Sequence, residues 1–486
     1  MGCSQSSSAM TSETAPSKFE IKKSHDVLPL VSGTSNIHMK IGRNKNIQVC
    51  SMSKQNWYPN KTKPNQDAYM HKKFKAPDGS TVYLFAVLDG HGAAGHHASQ
   101  WVAENLHSMI QQEVQKIALE GPNMSKESVQ KACFDAHVAC NNEALNHEKI
   151  DFEWSGTTCV SILVWTGGIT VCNVGDSRAI IGEFVTAIDN RKTTNDDSGG
   201  NKRTLLAAEA LSHDHIPLRK DERDRVKKAG AQVVTIVQAA GQQNIDEEEN
   251  ERKWNGCTAQ MNQKEGENER IYTEDPPRIF APGKMYPGYQ FTRSFGDSAG
   301  KDLGIIAEPE ISTSEFHSNI GLIVLATDGV YEYLTDQDVI DICALFPNPQ
   351  DGCEAVIELA YKNWLDKDVR TDDITITCIH CNRENIDPLS LSMTSIKNSG
   401  QRCISEPSHD EKSGLPNFPN LTAECIKRYI KTGQISTADF SRVGLRSNES
   451  FLFRSTGLIS EETGGRSASI DTDITVDLDD DIPTMD

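Results

Sequence analysis

Three apolar runs of the chain end on an aspartate. LFAVLDGHG from Leu84, VCNVGDSRAI from Val171 and LIVLATDGVYEYL from Leu322 place Asp89, Asp176 and Asp328 where a strand would stop. Asp67 in KPNQDAY, Glu332 and Asp372 are further acids of the same kind. Carboxylate oxygens suit hard cations such as Mg²⁺ and Mn²⁺; a strand fixes the ligand, and a neighbouring glycine lets backbone and water approach the ion. One Asp-Gly after an apolar run reads as a turn, so the reading rests on the set. His91 shares its tight turn with Asp89, which puts an imidazole able to move a proton beside a ligand candidate.

Positioning such a set requires strands and short turns. TVYLFAVLD, TTCVSILVW, GITVCNVGD, GLIVLATDG and DDITITCIH are rich in β-branched and aromatic residues and read as strands. Helices are expected over Ala98 to Ile110, Ser125 to Leu145, Lys220 to Ala229 with Gly230 closing it, Thr335 to Leu345, and Cys353 to Leu365. They cluster instead of following every strand, which favours a mainly antiparallel α+β domain over a doubly wound one.

Residues 1–40 are Ser-, Thr- and Lys-rich without periodicity and read as a flexible arm; 41–384 read as the folded body; 385–486 turn Ser-rich and then acidic, and read as largely disordered. Polar inserts near 190–203 and 241–270 read as surface loops, since a core could not satisfy so many polar groups. The formal charge of −20 argues against nucleic acid as a partner, because phosphate backbones are held by Lys and Arg. The 13 cysteines are scattered, and no signal-peptide core or long apolar run occurs, which reads as a reducing compartment. Cys378 and Cys381 form a CxxC with no second pair at zinc spacing, so buried or edge thiols are expected.

The ordered series NQDAY, LFAVLDGHGAAG, SGTTCVSILV, VCNVGDSRAI, LSHDHIP, ERDRVKKAGAQV, GYQFTRSFGD, LIVLATDGVYEYL and RTDDITITCI resembles the metal-dependent, type-2C (PPM-type) serine/threonine protein phosphatases. The resemblance implies a β-sandwich of two antiparallel sheets flanked by helices, a four-layer α-β-β-α body. It implies hydrolysis of phosphoserine and phosphothreonine in phosphorylated proteins by a water held between two divalent metals, Mg²⁺ or Mn²⁺. By the resemblance Asp89 bridges the pair, the Gly90 carbonyl helps to hold one ion, and Asp328 and Asp372 complete the centre. Asp67 falls on an acid that acts on the attacking water. Asp176, with Asp328 and Glu332, matches a third-metal site. His91 falls on the general acid.

Three positions depart from the family pattern. Gln66 stands where many members have glutamate, and Glu332 replaces the commoner aspartate. The arginine that grips phosphate ahead of the first motif is absent, which leaves Lys61 and Lys63 for substrate phosphate. A catalytically silent phosphatase-like binding module is the alternative reading; the retained Asp89, Asp328 and Asp372 argue against it.

The opening MGCSQS meets the myristoylation pattern at Gly2, with Cys3 open to palmitoylation and a basic arm behind them. These features together lead to an expected lipid anchor on the cytoplasmic face of a membrane, with some cytoplasmic pool; the chain is separately expected to be a monomer.

Overall fold

The computed structural model describes residues 31–33, 39–41, 44–59, 61–117, 124–188, 202–263, 275–346 and 348–381. Its centre follows from strands apolar on both faces. In Thr81–Leu88, Phe85 and Val87 point one way and Leu84, Ala86 and Leu88 the other, and all five are buried. Alternation with period two sends each set to its own layer.

One sheet runs in the order Val31–Gly33, Asn44–Lys54, Ile374–His380, Ile320–Ala326, Arg178–Ile188 and Lys202–Ala210, with Met39–Ile41 paired to Asn44–Lys54. The other runs Glu310–Ser314, Gly168–Val174, Cys159–Trp165, Thr81–Leu88 and Ala68–Lys75. The pairings within both sheets are antiparallel. Ile47, Val49, Phe85, Val87, Ile162 and Leu325 belong to the apolar layer between the sheets. Helices Gly95–Lys116 and Lys126–Leu145 cover the outer face of the second sheet. Asp336–Leu345 and Pro349–Lys367 cover that of the first. The expected α-β-β-α sandwich is the observed fold.

Helix starts follow local chemistry. Ser125 and Thr335 each close a capping box with the residue three positions on. The last long helix begins at Pro349, four residues before the expected start, because Asn348 caps it and proline suits the first helical turn. Gly230 takes φ +101° just after Lys220–Lys228, as a helix-closing glycine does.

Two readings of the chain's organisation change. The first sheet begins before residue 40, since Val31–Gly33 and Met39–Ile41 pair with Asn44–Lys54. The second polar insert contains a helix, Glu247–Gln263, and does not run as loop throughout. Trp254 is buried there, in a satellite core with Val226, Val233, Ile279 and Phe291. The buried guanidinium of Arg223 donates to Glu251 at 2.9 Å and to Asn255 at 2.6 Å, so these polar side chains are satisfied by pairing. In the first insert, the hairpin register reaches Ile188 opposite Lys202, which draws Lys202 and Arg203 into strand; 189–201 lie outside the described residues. Cys378 and Cys381 are buried free thiols, as expected.

Candidate metal centre and active site

The two central sheets deliver their acids to one end of the sandwich. Asp89 follows Thr81–Leu88; its amide donates to Thr158 Oγ1 at 3.0 Å, and its carbonyl accepts from the Thr158 amide at 2.8 Å. Asp328 opens a short helix directly after Ile320–Ala326, and Asp372 precedes Ile374–His380. Thr327 ties these segments together: its hydroxyl donates to Asp67 Oδ2 at 3.0 Å and accepts from the Thr375 amide at 3.1 Å.

Electrostatics shows the convergence. Burial, then the charges of Asp67, Asp328, Asp372 and Asp176, push the Asp89 carboxyl well above the usual carboxylate range. Burial and the neighbouring Asp373 and Asp372 do the same to Asp67. Asp372 is pushed up to about 7 by burial, Asp328 and Asp373. Carboxylates drawn from five places in the chain crowd one cleft, and like charges so placed resist ionising together without a counter-charge.

The donor set fits hard divalent cations. It is all oxygen, and Asp67 Oδ1 is buried with no hydrogen-bond partner among the described residues. No three His, Cys, Asp or Glu side chains among the described residues form a ready-made cage. Gly90 is forced by space, since a Cβ there would collide with the Gly95 and Gln66 carbonyls. Asp176 is buried and acts on Asp89, and Glu332 caps the C-terminal end of the short helix that Asp328 opens.

His91 lies beside this cluster, with Nε2 2.7 Å from Asp297 Oδ2 and its ring 4.3 Å from that of Phe291. Ser294 Oγ donates to the same carboxylate oxygen at 2.6 Å. Sequence reasoning missed Asp297, although it ends the quoted GYQFTRSFGD. Gly156 makes the contact possible, because a Cβ there would strike Asp297 Oδ2, His91 Nε2 and the Phe295 carbonyl.

Gln66 acts as a donor. Its Nε2 reaches the Gly92 carbonyl at 2.7 Å, and its own carbonyl accepts from Gly90 at 3.1 Å and Ser99 at 2.6 Å. A glutamate could not make the first bond when ionised. Asp373 was also overlooked: it accepts from the Asn56 amide at 2.7 Å and the Gln66 amide at 2.9 Å, fastening the segment that precedes Asp67. Lys61 and Lys63 sit over the Tyr58 ring at 5.1 and 4.7 Å. Gly2 and Cys3 lie outside the described residues.

Comparison with known proteins identifies the family. The family model described as Protein phosphatase 2C matches residues 60–366. "Probable protein phosphatase 2C 35" of Arabidopsis thaliana is 36% identical over 329 residues, covering 68% of this chain and 82% of its own. "Probable protein phosphatase 2C 64" of Oryza sativa subsp. japonica is 26% identical over 341 residues, covering 69% of this chain and 68% of its own. The crystal structure of serine-threonine phosphatase 2C from Toxoplasma gondii aligns with TM-score 0.47 at 17% identity, over 73% of this chain and 99% of that one. The family match and the relatives define a protein serine/threonine phosphatase. The chain belongs to the protein phosphatase 2C family, whose members depend on divalent metal and act on phosphoproteins.

Proposed function

We propose that the chain hydrolyses phosphoserine and phosphothreonine esters at the Asp89 cleft with two divalent cations, and works at a membrane surface. The observation that carries the cleft assignment is the convergence on Asp89 of charges from Asp67, Asp328, Asp372 and Asp176. Asp89, the Gly90 carbonyl, Asp328 and Asp372 would hold the pair; Asp176 and Glu332, with Asp328, would hold a third ion. When bound, Mg²⁺ or Mn²⁺ supplies positive charge to the phosphoryl group and makes water more acidic.

The chain's own groups do the rest. Asp67, held through Oδ2 by Thr327, keeps Oδ1 to receive a proton from the attacking water. The water oxygen bonds to phosphorus as the bond from phosphorus to the serine or threonine oxygen breaks. The electron pair stays on that oxygen, which takes a proton from His91. Asp297 engages Nε2 and so holds the ring in one orientation. Lys61 and Lys63 supply charge to the phosphate. Inorganic phosphate and a free hydroxyl leave, and no residue is phosphorylated.

The membrane reading rests on Gly2, Cys3 and the basic arm, since one myristoyl chain alone binds reversibly and a second signal makes attachment stable. A monomer is the expected form. Phosphate release from phosphoserine and phosphothreonine peptides, with Mn²⁺ and with chelator, tests the catalytic reading. Release that needs Mn²⁺ supports it, and absence of release under both conditions removes it.

A further inference from the structure

Three cationic side chains share one aromatic ring at the edge of the acidic cleft. Lys61 Nζ lies 5.1 Å, Lys63 Nζ 4.7 Å and Arg370 Cζ 5.7 Å from the Tyr58 ring centroid. The phenol oxygen also accepts from Arg370 Nη1 at 3.3 Å and from Lys63 Nζ at 3.4 Å. Arg370 reaches this ring across 312 residues of sequence. A fourth cation is close enough to matter: the charge of Arg370 acts on Arg278, in the three-stranded sheet of Gln232–Val234, Arg278–Phe280 and Pro287–Tyr289. Like charges gathered in this way repel one another and favour an anion between them.

The platform is fixed to the metal-ligand segment. Trp57 and Thr371 exchange two hydrogen bonds, amide to Oγ1 at 2.8 Å and amide to carbonyl at 2.9 Å. Asn56 and Gln66 are tied to Asp373 on either side of Tyr58. Arg370 stands two residues before Asp372 and its charge acts on that carboxyl, while the charge of Lys63 acts on Asp373. The guanidinium is not consumed by a tight ion pair, since its contact with Asp368 is through Nε at 3.7 Å and its side chain is 46% exposed.

We propose that Arg370, braced on Tyr58 with Lys63 beside it, is the arginine that grips the substrate's phosphoryl oxygens, in place of the arginine missing ahead of Asp67. This rests on the cleft assignment above and goes beyond the lysine reading. A guanidinium offers phosphate two parallel hydrogen bonds, whereas an ammonium offers a point charge. The ligand is therefore a phosphate monoester dianion, or inorganic phosphate as the product.

Calorimetric titration of inorganic phosphate into the full chain loaded with Mn²⁺ tests it, using wild type, Arg370→Ala and Arg370→Lys. Each variant is titrated with Mn²⁺ and assayed on a phosphothreonine peptide in parallel. Arg370→Ala should weaken phosphate binding by about tenfold to a hundredfold, as for loss of a charged hydrogen-bonding group, and raise KM with it. Arg370→Lys should recover only part of the loss, and Mn²⁺ affinity should stay unchanged. Phosphate affinity in Arg370→Ala equal to wild type would overturn the clamp. So would a parallel fall in Mn²⁺ affinity, which would make Arg370 a support for Asp372. Phosphate binding that depends on Arg370 in a wild type that turns over no peptide would keep the clamp while removing the phosphatase reading.

Discussion

The Nε2 of His91 and the Oδ2 of Asp297 lie 2.7 Å apart, although 206 residues separate them in sequence. The imidazole is delivered by the turn after Thr81–Leu88, the carboxylate by the left-handed residue before the short helix Ser298–Lys301. A proton donor oriented in this way loses its aim when its partner is removed. Asp297→Ala should therefore lower kcat on a phosphothreonine peptide by about tenfold or more, and by no more than the 10² to 10⁴ that general acid catalysis supplies.

His91→Ala should cost about 10² or more on the same substrate. Both losses should shrink on an aryl phosphate, whose leaving group needs little protonation. An equal loss on alkyl and aryl substrates would show that the pair supports structure alone.

Gln66→Glu should weaken the turn that carries Asp89 and His91. The substitution exchanges the donor to the Gly92 carbonyl for an acceptor. Loss of one such bond costs roughly 0.5–1.5 kcal/mol, read as a lower Tm in the metal-free protein. An unchanged Tm would mean that this bond contributes nothing to the turn.

The raised acids predict a pH dependence of stability. Asp372 goes from an ordinary value of 3.8 to about 7 on folding, so between those values the folded chain binds more protons than the unfolded one. The associated stability is fully present below the lower value and is lost as pH rises through the higher. The metal-free protein should thus lose Tm between about pH 4 and about pH 8, and Asp372→Asn should flatten part of that fall. Mn²⁺ should raise Tm more at the upper end, because cation binding needs the carboxylates deprotonated. A stabilisation by Mn²⁺ that is larger at low pH would contradict this.

At the membrane, Gly2→Ala should shift the protein to the soluble fraction on cell fractionation. Cys3→Ser should leave a weak association sensitive to salt. Both variants should keep phosphatase activity in solution, since residues 60–366 carry the family match. A Gly2→Ala protein as membrane-bound as wild type would remove the lipid anchor.

The strands and their acids were legible because a strand buried on both faces writes a continuous apolar run, and the aspartate that ends it is conspicuous. Phe85 and Asp89 are of this kind. The helix Glu247–Gln263 was hidden because polar residues on it such as Glu251 and Asn255 meet a distant partner, Arg223, and no local composition announces such a partner. Asp297 and Arg370 were hidden for the same reason: each meets its partner, His91 and Tyr58, only through a contact made by the fold. Lys61 and Lys63 were legible only through the family resemblance, which expects an arginine for phosphate ahead of Asp67 where this chain has lysines.

In the proposed mechanism, acids converging on Asp89 hold the cations on which turnover depends. Its most direct test is phosphate release from a phosphothreonine peptide by wild type and Asp89→Asn, each with saturating Mn²⁺ and with chelator, alongside a Mn²⁺ titration. Wild type should release phosphate with Mn²⁺ alone, and Asp89→Asn should stay folded, bind Mn²⁺ more weakly and release no more phosphate than chelated wild type. Wild-type rates from Asp89→Asn at saturating Mn²⁺, or equal wild-type release with chelator, would contradict it.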